Sequence, residues 1–182
     1  VLFDDMSNGG GIACDIENAL RMNADCMAVQ TFIGTPGESR SLELLCRTAD
    51  AGTRYGIPTL GVVAVGKQME RTEKFFQLAT RVLAENGANV VKSYFCEGFE
   101  RVAAACPVPI VIAGGKKLPE LDALEMAYQA IDQGAHGVDM GRNIFQSDCP
   151  AGMAQAIGKV VHEGYTAKQA YEVYQEVKNQ NA

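Results

Sequence analysis

The chain has 182 residues, of which 47% are hydrophobic and 21% are charged, and its formal net charge is −6. This composition is typical of a globular domain with one sizeable core, and no apolar run approaches the roughly 18 residues that a membrane span needs. The excess of 22 acidic over 16 basic residues argues against a nucleic-acid-binding protein, because binding to the phosphate backbone requires a basic face.

The cysteines and histidines argue against two further classes of site. The six cysteines are too sparse for a disulfide framework and show no C-x-x-C motif. With only two histidines in the chain, a zinc site is not expected either. We therefore expect a cytoplasmic protein with reduced thiols and no bound metal.

Short apolar runs alternate with longer amphipathic stretches along the chain, which is typical of βα units around a parallel sheet. The runs are nearly continuous, as in strands that are covered on both faces. They predict strands at residues 27–31, 59–63, 89–92, 110–113 and 137–140. Helical spacing and capping signals predict helices that begin at Asp15, at Ser39 or Ser41, at Thr72 and at Pro119, and helices over residues 153–162 and 166–178. We expect one domain over residues 1–182.

Five parallel strands with intervening helices fit either an open doubly wound sheet or part of a closed (βα)₈ barrel. The doubly wound fold commonly carries G-x-G-x-x-G after its first strand, and this motif does not occur in the chain. The barrel instead predicts a phosphate site in the loops after its last two strands. Glycine-containing turns follow both of those predicted strands, which favours the barrel.

These two turns are the candidate phosphate site. Gly114 and Gly115 follow the fourth predicted strand, and glycine lets backbone N–H groups approach an anion closely. Gly141 and Arg142 follow the fifth, where a helical N-terminus and a guanidinium group can both bind phosphate oxygens. Each feature also has a purely structural explanation. The two glycines can form an ordinary tight turn, and Arg142 can be a solvated surface charge. Their coincidence on consecutive strands favours phosphate binding.

Lys92, at the end of the third predicted strand, is the candidate catalytic residue. Its side chain can simply extend to the surface. At the rim of a barrel, however, desolvation and a neighbouring cation lower the pKa of an amine, so that more of it is neutral and nucleophilic. The amine can then attack a ketone and form a Schiff base, which serves as an electron sink for cleavage of the adjacent C–C bond.

The remaining polar residues are weaker candidates. His136 and His162 are expected to have no role, and Cys96 lacks a nearby basic partner that would activate a thiol. Tyr94 is expected on the opposite strand face from Lys92. Asp139 can serve packing or catalysis equally well, and Lys67 is a candidate cation at the rim of the barrel.

Four longer segments carry a resemblance to a known family. They are VVKSY at residues 90–94, GFERV at 98–102, CPVPIVIAGGKKLP at 106–119 and GVDMGRNIFQSD at 137–148. Together they resemble the class I aldolase family of the DeoC/FbaB type. The resemblance runs over nearly the whole chain and is strongest from Gly56 to Asp148.

The resemblance implies a (βα)₈ barrel with Lys92 as the Schiff-base lysine on strand 6. It also implies a phosphate site after strands 7 and 8, at Gly114, Gly115, Gly141 and Arg142. The match is best to the thiolase branch, which acts in autoinducer-2 processing (the Lsr pathway of quorum sensing) and transfers an acetyl group from 3-hydroxy-5-phosphonooxypentane-2,4-dione to coenzyme A. That branch implies coenzyme A as co-substrate, no bound cofactor, and a cytoplasmic homo-oligomer such as a decamer of pentameric rings.

Two departures from the family pattern bear on this interpretation. Fructose-bisphosphate aldolases of the same superfamily carry an acid/base tyrosine near the end of strand 5, and Ala64 stands there in this chain, which favours the thiolase branch. The first three strands, one of which bears an Asp-His pair in the family, have no counterpart, so we expect a barrel that lacks its first strands. Two alternatives stay open: an aldolase that cleaves another phosphorylated ketose, and a non-catalytic phosphate-binding fragment.

Overall fold

The computed structural model describes residues 10–65 and 70–180. The chain forms two compact units, one ending at Ile110 and the other beginning at Val111. Among the described residues, no helix is both long enough and apolar enough to cross a membrane.

In the first unit, helices and strands alternate, and the strands pair in parallel in the order β1-β2-β3. The strands are β1 (Met27–Thr31), β2 (Thr59–Val63) and β3 (Val90–Tyr94), and the helices are α1 (Ile16–Arg21), α2 (Glu38–Tyr55), α3 (Glu73–Glu85) and α4 (Phe99–Ala105). The N–H of Val91 donates to the carbonyl of Pro109, immediately before β4 (Ile110–Ala113) begins.

In the second unit, β4 pairs in parallel with β5, and the helices that follow share one core. The elements are β5 (Gly137–Asp139), α5 (Glu120–Asp132), α6 (Gly141–Phe145), α7 (Pro150–Glu163) and α8 (Ala167–Gln180). The core is formed by residues of α5, α7 and α8 that are almost fully shielded from water, among them Leu124, Ala127, Met153, Val160 and Tyr174.

Helix α3 covers one face of the sheet in the first unit. A Cβ at Gly61 of β2 would lie 3.0 Å from side-chain atoms of Leu83 and Ala88, so the small residue allows the helix to approach closely. Leu83 is fully buried, which contributes about 2 kcal/mol to stability. Val91 and Ser93 of β3 are also fully buried, whereas Lys92 between them is only half-buried.

The sequence predictions of the strands are confirmed to within two residues at every end. Parallel pairing between strands separated by helices confirms the α/β class. Helix α4 is not predicted from the sequence, because seven residues span only about two turns and are too few for a helical period to stand out.

The predicted helix starts are partly wrong. Thr72 caps α3 as predicted, with its side chain accepting from the N–H of Phe75. Asp15 precedes α1 but makes no side-chain capping bond, and Pro119 precedes α5 rather than lying in its first turn. Helix α2 begins at Glu38, and the buried Ser41 hydroxyl instead accepts from the N–H of Phe32 at 3.0 Å. Ser41 therefore fixes the turn between β1 and α2.

Candidate active site

Lys92 lies in the middle of β3, on the face opposite the one that α3 covers. Successive strand residues point to opposite faces, and burial follows this alternation, with Val91 and Ser93 fully buried and Lys92 half-buried. The lysine is therefore neither packed into the helix layer nor fully exposed to water. The sequence predicts Lys92 at the end of its strand, and the structure extends β3 by two further residues, to Tyr94.

Tyr94 lies on the same strand face as Lys92, so the expectation of opposite faces is wrong. The strand extends as far as Tyr94, and a spacing of two residues restores the side-chain direction. The guanidinium group of Arg71 lies 4.2 Å from the centroid of the Tyr94 ring, and the Phe76 ring centroid lies 6.2 Å from it. These contacts hold the start of α3 against the end of β3.

The two glycines after β4 have different roles in their turn. The N–H of Gly114 donates to the carbonyl of Asp139 at 3.3 Å, so the expectation that both glycine N–H groups face an anion is wrong for Gly114. A Cβ at position 114 would lie 2.7 Å from Nδ2 of Asn143 and 2.9 Å from Cα of Met140, so only glycine fits. Gly115 has a φ of +62° and open space around it, and its N–H has no partner in the described part of the chain. Gly115 is thus the available anion donor of the pair.

Asn143, which the sequence analysis did not single out, joins the two turns. Its Nδ2 donates to the carbonyl of Gly114 at 2.9 Å and to the carbonyl of Lys116 at 3.2 Å. Its Oδ1 accepts from the N–H of Leu118 at 2.8 Å, and the side chain is fully buried. The structure therefore brings the two glycine turns together, as the sequence predicted, through a residue whose burial no sequence signal reveals.

Gly141 and Arg142 form the start of the short helix α6. The first N–H groups of a helix have no partner within it, and those of Gly141 and Arg142 bond to nothing else in residues 10–65 and 70–180. The Arg142 side chain is exposed and makes no ion pair with any residue that the structure describes. These donors are free to bind a phosphate group.

The two lysines after the glycine pair also differ. Lys117 donates to the carbonyl of Leu118 at 2.6 Å and to the Glu120 carboxylate at 2.7 Å, so its charge is paired with that of Glu120. The same hydrogen bond lowers the pKa of Glu120 below its usual value. Lys116 is exposed, and its side chain has no partner in the part of the chain that the structure describes.

The weaker candidates show no catalytic geometry. Burial, followed by the negative charges of Glu73 and Glu100, raises the pKa of the Cys96 thiol, which disfavours the nucleophilic thiolate. His136 and His162 are exposed. Lys67 lies outside the described residues. Within those residues, no three His, Cys, Asp or Glu side chains are grouped as metal ligands would be.

A cavity of about 420 Å³ lies along β1. Its lining is mostly apolar and includes Ile12, Ala28, Phe32 and Leu44, with the polar Gln30 among them. Lys92 does not line it. The cavity lies at a strand edge that has no partner among the described strands, and Gln30 in its lining is joined to Lys92 through the strand pairing by way of Val62.

With this geometry in view, the chain can be compared with known proteins. A model of the DeoC/LacD family aldolases matches residues 4–147. The chain belongs to this aldolase family. The sequence resemblance to class I aldolases of the DeoC type is thereby confirmed.

Two relatives of the chain are similar over most of its length. A 3-hydroxy-5-phosphonooxypentane-2,4-dione thiolase of Enterobacter sp. (strain 638) is 57% identical over 168 residues, which are 92% of this chain and 57% of that protein. An uncharacterized aldolase of Pasteurella multocida is 55% identical over 174 residues, which are 95% of this chain and 60% of that protein. The chain therefore spans less than two thirds of the length of these relatives.

A solved structure shows the fold of this aldolase family member. An archaeal fructose 1,6-bisphosphate aldolase superposes with a TM-score of 0.77 at 24% identity, covering 84% of this chain and 64% of that one. The fold is that of the class I aldolases, and the five strands correspond to part of a (βα)₈ barrel. The predicted fold class is confirmed.

Proposed function

We propose that this protein acts as a thiolase that transfers an acetyl group from 3-hydroxy-5-phosphonooxypentane-2,4-dione to coenzyme A. The observation that carries the proposal is the 57% identity with the Enterobacter thiolase over nearly the whole chain. A lysine on the strand face opposite α3 and two joined glycine turns support it, because this reaction requires an amine and a phosphate anchor.

Lys92 is the proposed nucleophile. Its uncharged amine attacks the C4 carbonyl of the diketone, next to the carbon that bears the phosphate ester, and loss of water gives a protonated imine. The imine is a stronger electron acceptor than the ketone that it replaces. The position of Lys92 on the strand face opposite α3, half-buried between the fully buried Val91 and Ser93, supports this role.

Coenzyme A is the proposed acetyl acceptor. Its thiolate attacks the C2 carbonyl, the C2–C3 bond breaks, and the bonding electron pair passes into the protonated imine to give an enamine. Acetyl-CoA leaves, a proton adds to C3, and water hydrolyses the new imine to release dihydroxyacetone phosphate and the free amine. Atoms and charges balance without an oxidant or a reductant, so coenzyme A is a co-substrate and no bound cofactor is required.

The two glycine turns are the proposed anchor for the substrate phosphate. The N–H groups of Gly115, Gly141 and Arg142 and the Arg142 guanidinium supply the donors. Gly114 contributes by shape, because its missing side chain leaves room for the Asn143 amide. A bound phosphate restricts the motion of the substrate, which lowers the entropic cost of the reaction.

An assay of the two expected products tests the proposal. The purified protein is incubated with the phosphorylated diketone and coenzyme A, and we expect acetyl-CoA and dihydroxyacetone phosphate in equal amounts. Lys92→Arg keeps the charge but cannot form the imine, so it should lower the rate by about 1,000-fold or more. Lys168→Arg, at an exposed position of α8, is the matched control and should leave the rate unchanged.

Other products would contradict the thiolase assignment. Cleavage of a ketose bisphosphate with no formation of acetyl-CoA would favour an aldolase that acts on another phosphorylated ketose. Phosphate binding with neither reaction would favour a non-catalytic protein. The further expectations of a role in autoinducer-2 processing in the Lsr pathway, a cytoplasmic location and a homo-oligomer of pentameric rings rest on the resemblance and stay predictions.

A further inference from the structure

The register of the parallel strands arranges residues of the sheet face opposite α3 in two rows. In the row nearer the start of the strands, Ala28 pairs with Leu60 and Leu60 with Val90; in the next row, Gln30 pairs with Val62 and Val62 with Lys92. Paired residues of neighbouring parallel strands share a face. Gln30 and Lys92 therefore lie at one level of the same face, on either side of Val62.

The two polar side chains, Gln30 and Lys92, are both in the second row. The first row is entirely apolar, and Val62 is the apolar centre of the second. Gln30 is exposed, and its amide makes no hydrogen bond within the described residues. Neighbouring strands lie about 4.8 Å apart, so the Cα atoms of Gln30 and Lys92 are separated by roughly 10 Å. At this separation, a substrate with a short carbon chain that lies over Val62 can contact the ends of the Gln30 and Lys92 side chains together.

We propose that Gln30 is a substrate-binding residue that orients the carbon chain for attack by Lys92. This inference rests on the proposed function. An amide donates to a carbonyl oxygen and accepts from a hydroxyl group, which are the two groups present next to each other in a hydroxyketone. A neutral amide also forms no ion pair with the lysine, whereas a carboxylate at this level would stabilise the unreactive ammonium form. Val62 supplies an apolar floor for the carbons between them.

Replacement of Gln30 by methionine tests this role. Gln30→Met keeps the length of the side chain and removes both hydrogen-bonding groups. Leu60→Met, in the apolar row of the same face, is the matched control. Gln30→Asn, which keeps the amide on a shorter side chain, should recover part of the loss. The readouts are kcat and KM with the phosphorylated diketone, and the rate at which borohydride traps dihydroxyacetone phosphate on Lys92.

We expect Gln30→Met to lower kcat/KM by about 10-fold, the effect of one or two lost substrate hydrogen bonds, and to slow trapping by a similar factor. Leu60→Met should stay within about twofold of the natural protein. Equal rates for Gln30→Met and the natural protein, with Lys92 trapped in both, would overturn the role of Gln30 and leave the proposed function intact. The absence of trapping at Lys92 in the natural protein would overturn both. The Gln30 side chain is exposed and has no hydrogen-bond partner among the described residues, so its replacement should not change the melting temperature, and a fall of several degrees would indicate a structural role instead.

Discussion

The buried side-chain amide of Asn143 donates to the carbonyl oxygen of Gly114, with 2.9 Å between the two atoms. The same amide also binds Lys116 and Leu118, so one side chain in the middle of α6 determines the course of the loop after β4. The loop and the helix together present the free N–H groups of the candidate phosphate site. The geometry of that site therefore depends on a residue that has no free donor of its own.

Asn143→Ala should destabilise the protein by about 2–4 kcal/mol, because it leaves two carbonyls and one N–H without their partner. Urea unfolding measures this free energy. The control is Asn18→Ala, since the Asn18 side chain is exposed and, among the described residues, accepts a hydrogen bond from Arg21 alone. That variant should lose less than about 0.5 kcal/mol. Similar losses for the two variants would show that the Asn143 amide does not hold the loop.

The two neighbouring glycines should respond differently to alanine. Gly114→Ala would place a methyl group 2.7 Å from Nδ2 of Asn143, so it should displace the loop and raise KM for the phosphorylated substrate by about 10-fold. In Gly115→Ala the new methyl group enters open space. Because the backbone there is left-handed, this variant should lose only roughly 1 kcal/mol of folding stability, and its KM should change little. Steady-state kinetics and thermal unfolding of both variants check this difference. A larger rise in KM for Gly115→Ala than for Gly114→Ala would refute the assigned roles.

Acid should weaken the second unit through two carboxylates. Hydrogen bonds from Lys117 and Lys178 lower the pKa of Glu120 and of Asp148. Because the folded-state pKa values lie below the unfolded ones, the stabilisation is present at neutral pH and is lost as the pH falls below about 4. The Lys117–Glu120 pair is partly buried and contributes less than about 1 kcal/mol, whereas solvent screens the more exposed Lys178–Asp148 pair more strongly.

A single substitution isolates one of these carboxylates. Lys117→Met should lower the free energy of unfolding at pH 7, where Glu120 is ionised, but leave it nearly unchanged at pH 3. The free energy of unfolding of this variant should therefore change less between pH 7 and pH 3 than that of the natural protein. Lys116→Met removes an exposed lysine that has no side-chain partner among the described residues and should preserve the full dependence. Urea unfolding across this range makes the comparison. An identical pH dependence for both variants would exclude the Lys117–Glu120 pair as a cause.

The strands could be predicted from sequence because each is a short, continuous apolar run between turn residues. The glycine turns could be placed together because consecutive parallel strands end at the same edge of a sheet. The position of Lys92 at the end of such a run likewise indicated its place in the fold. These inferences need only local pattern and the topology of βα units.

Other features depend on contacts between residues that are distant in the sequence, and these contacts cannot be predicted from a single sequence. Asn143 looks like any turn asparagine, because its burial arises only when the loop after β4 folds over it. Gln30 looks like a solvated strand residue until the register places it level with Lys92. The N–H of Gly114 could not be known to be engaged, because its partner, Asp139, lies on the next strand.

Borohydride trapping followed by peptide mass spectrometry tests the central claim most directly. The protein is incubated with dihydroxyacetone phosphate, reduced with borohydride and digested, and every lysine peptide is examined for the added mass. We expect one stable adduct, on Lys92, and none in Lys92→Arg. An adduct on a different lysine, or no adduct in the natural protein under saturating ligand, would contradict the claim that Lys92 forms the Schiff base.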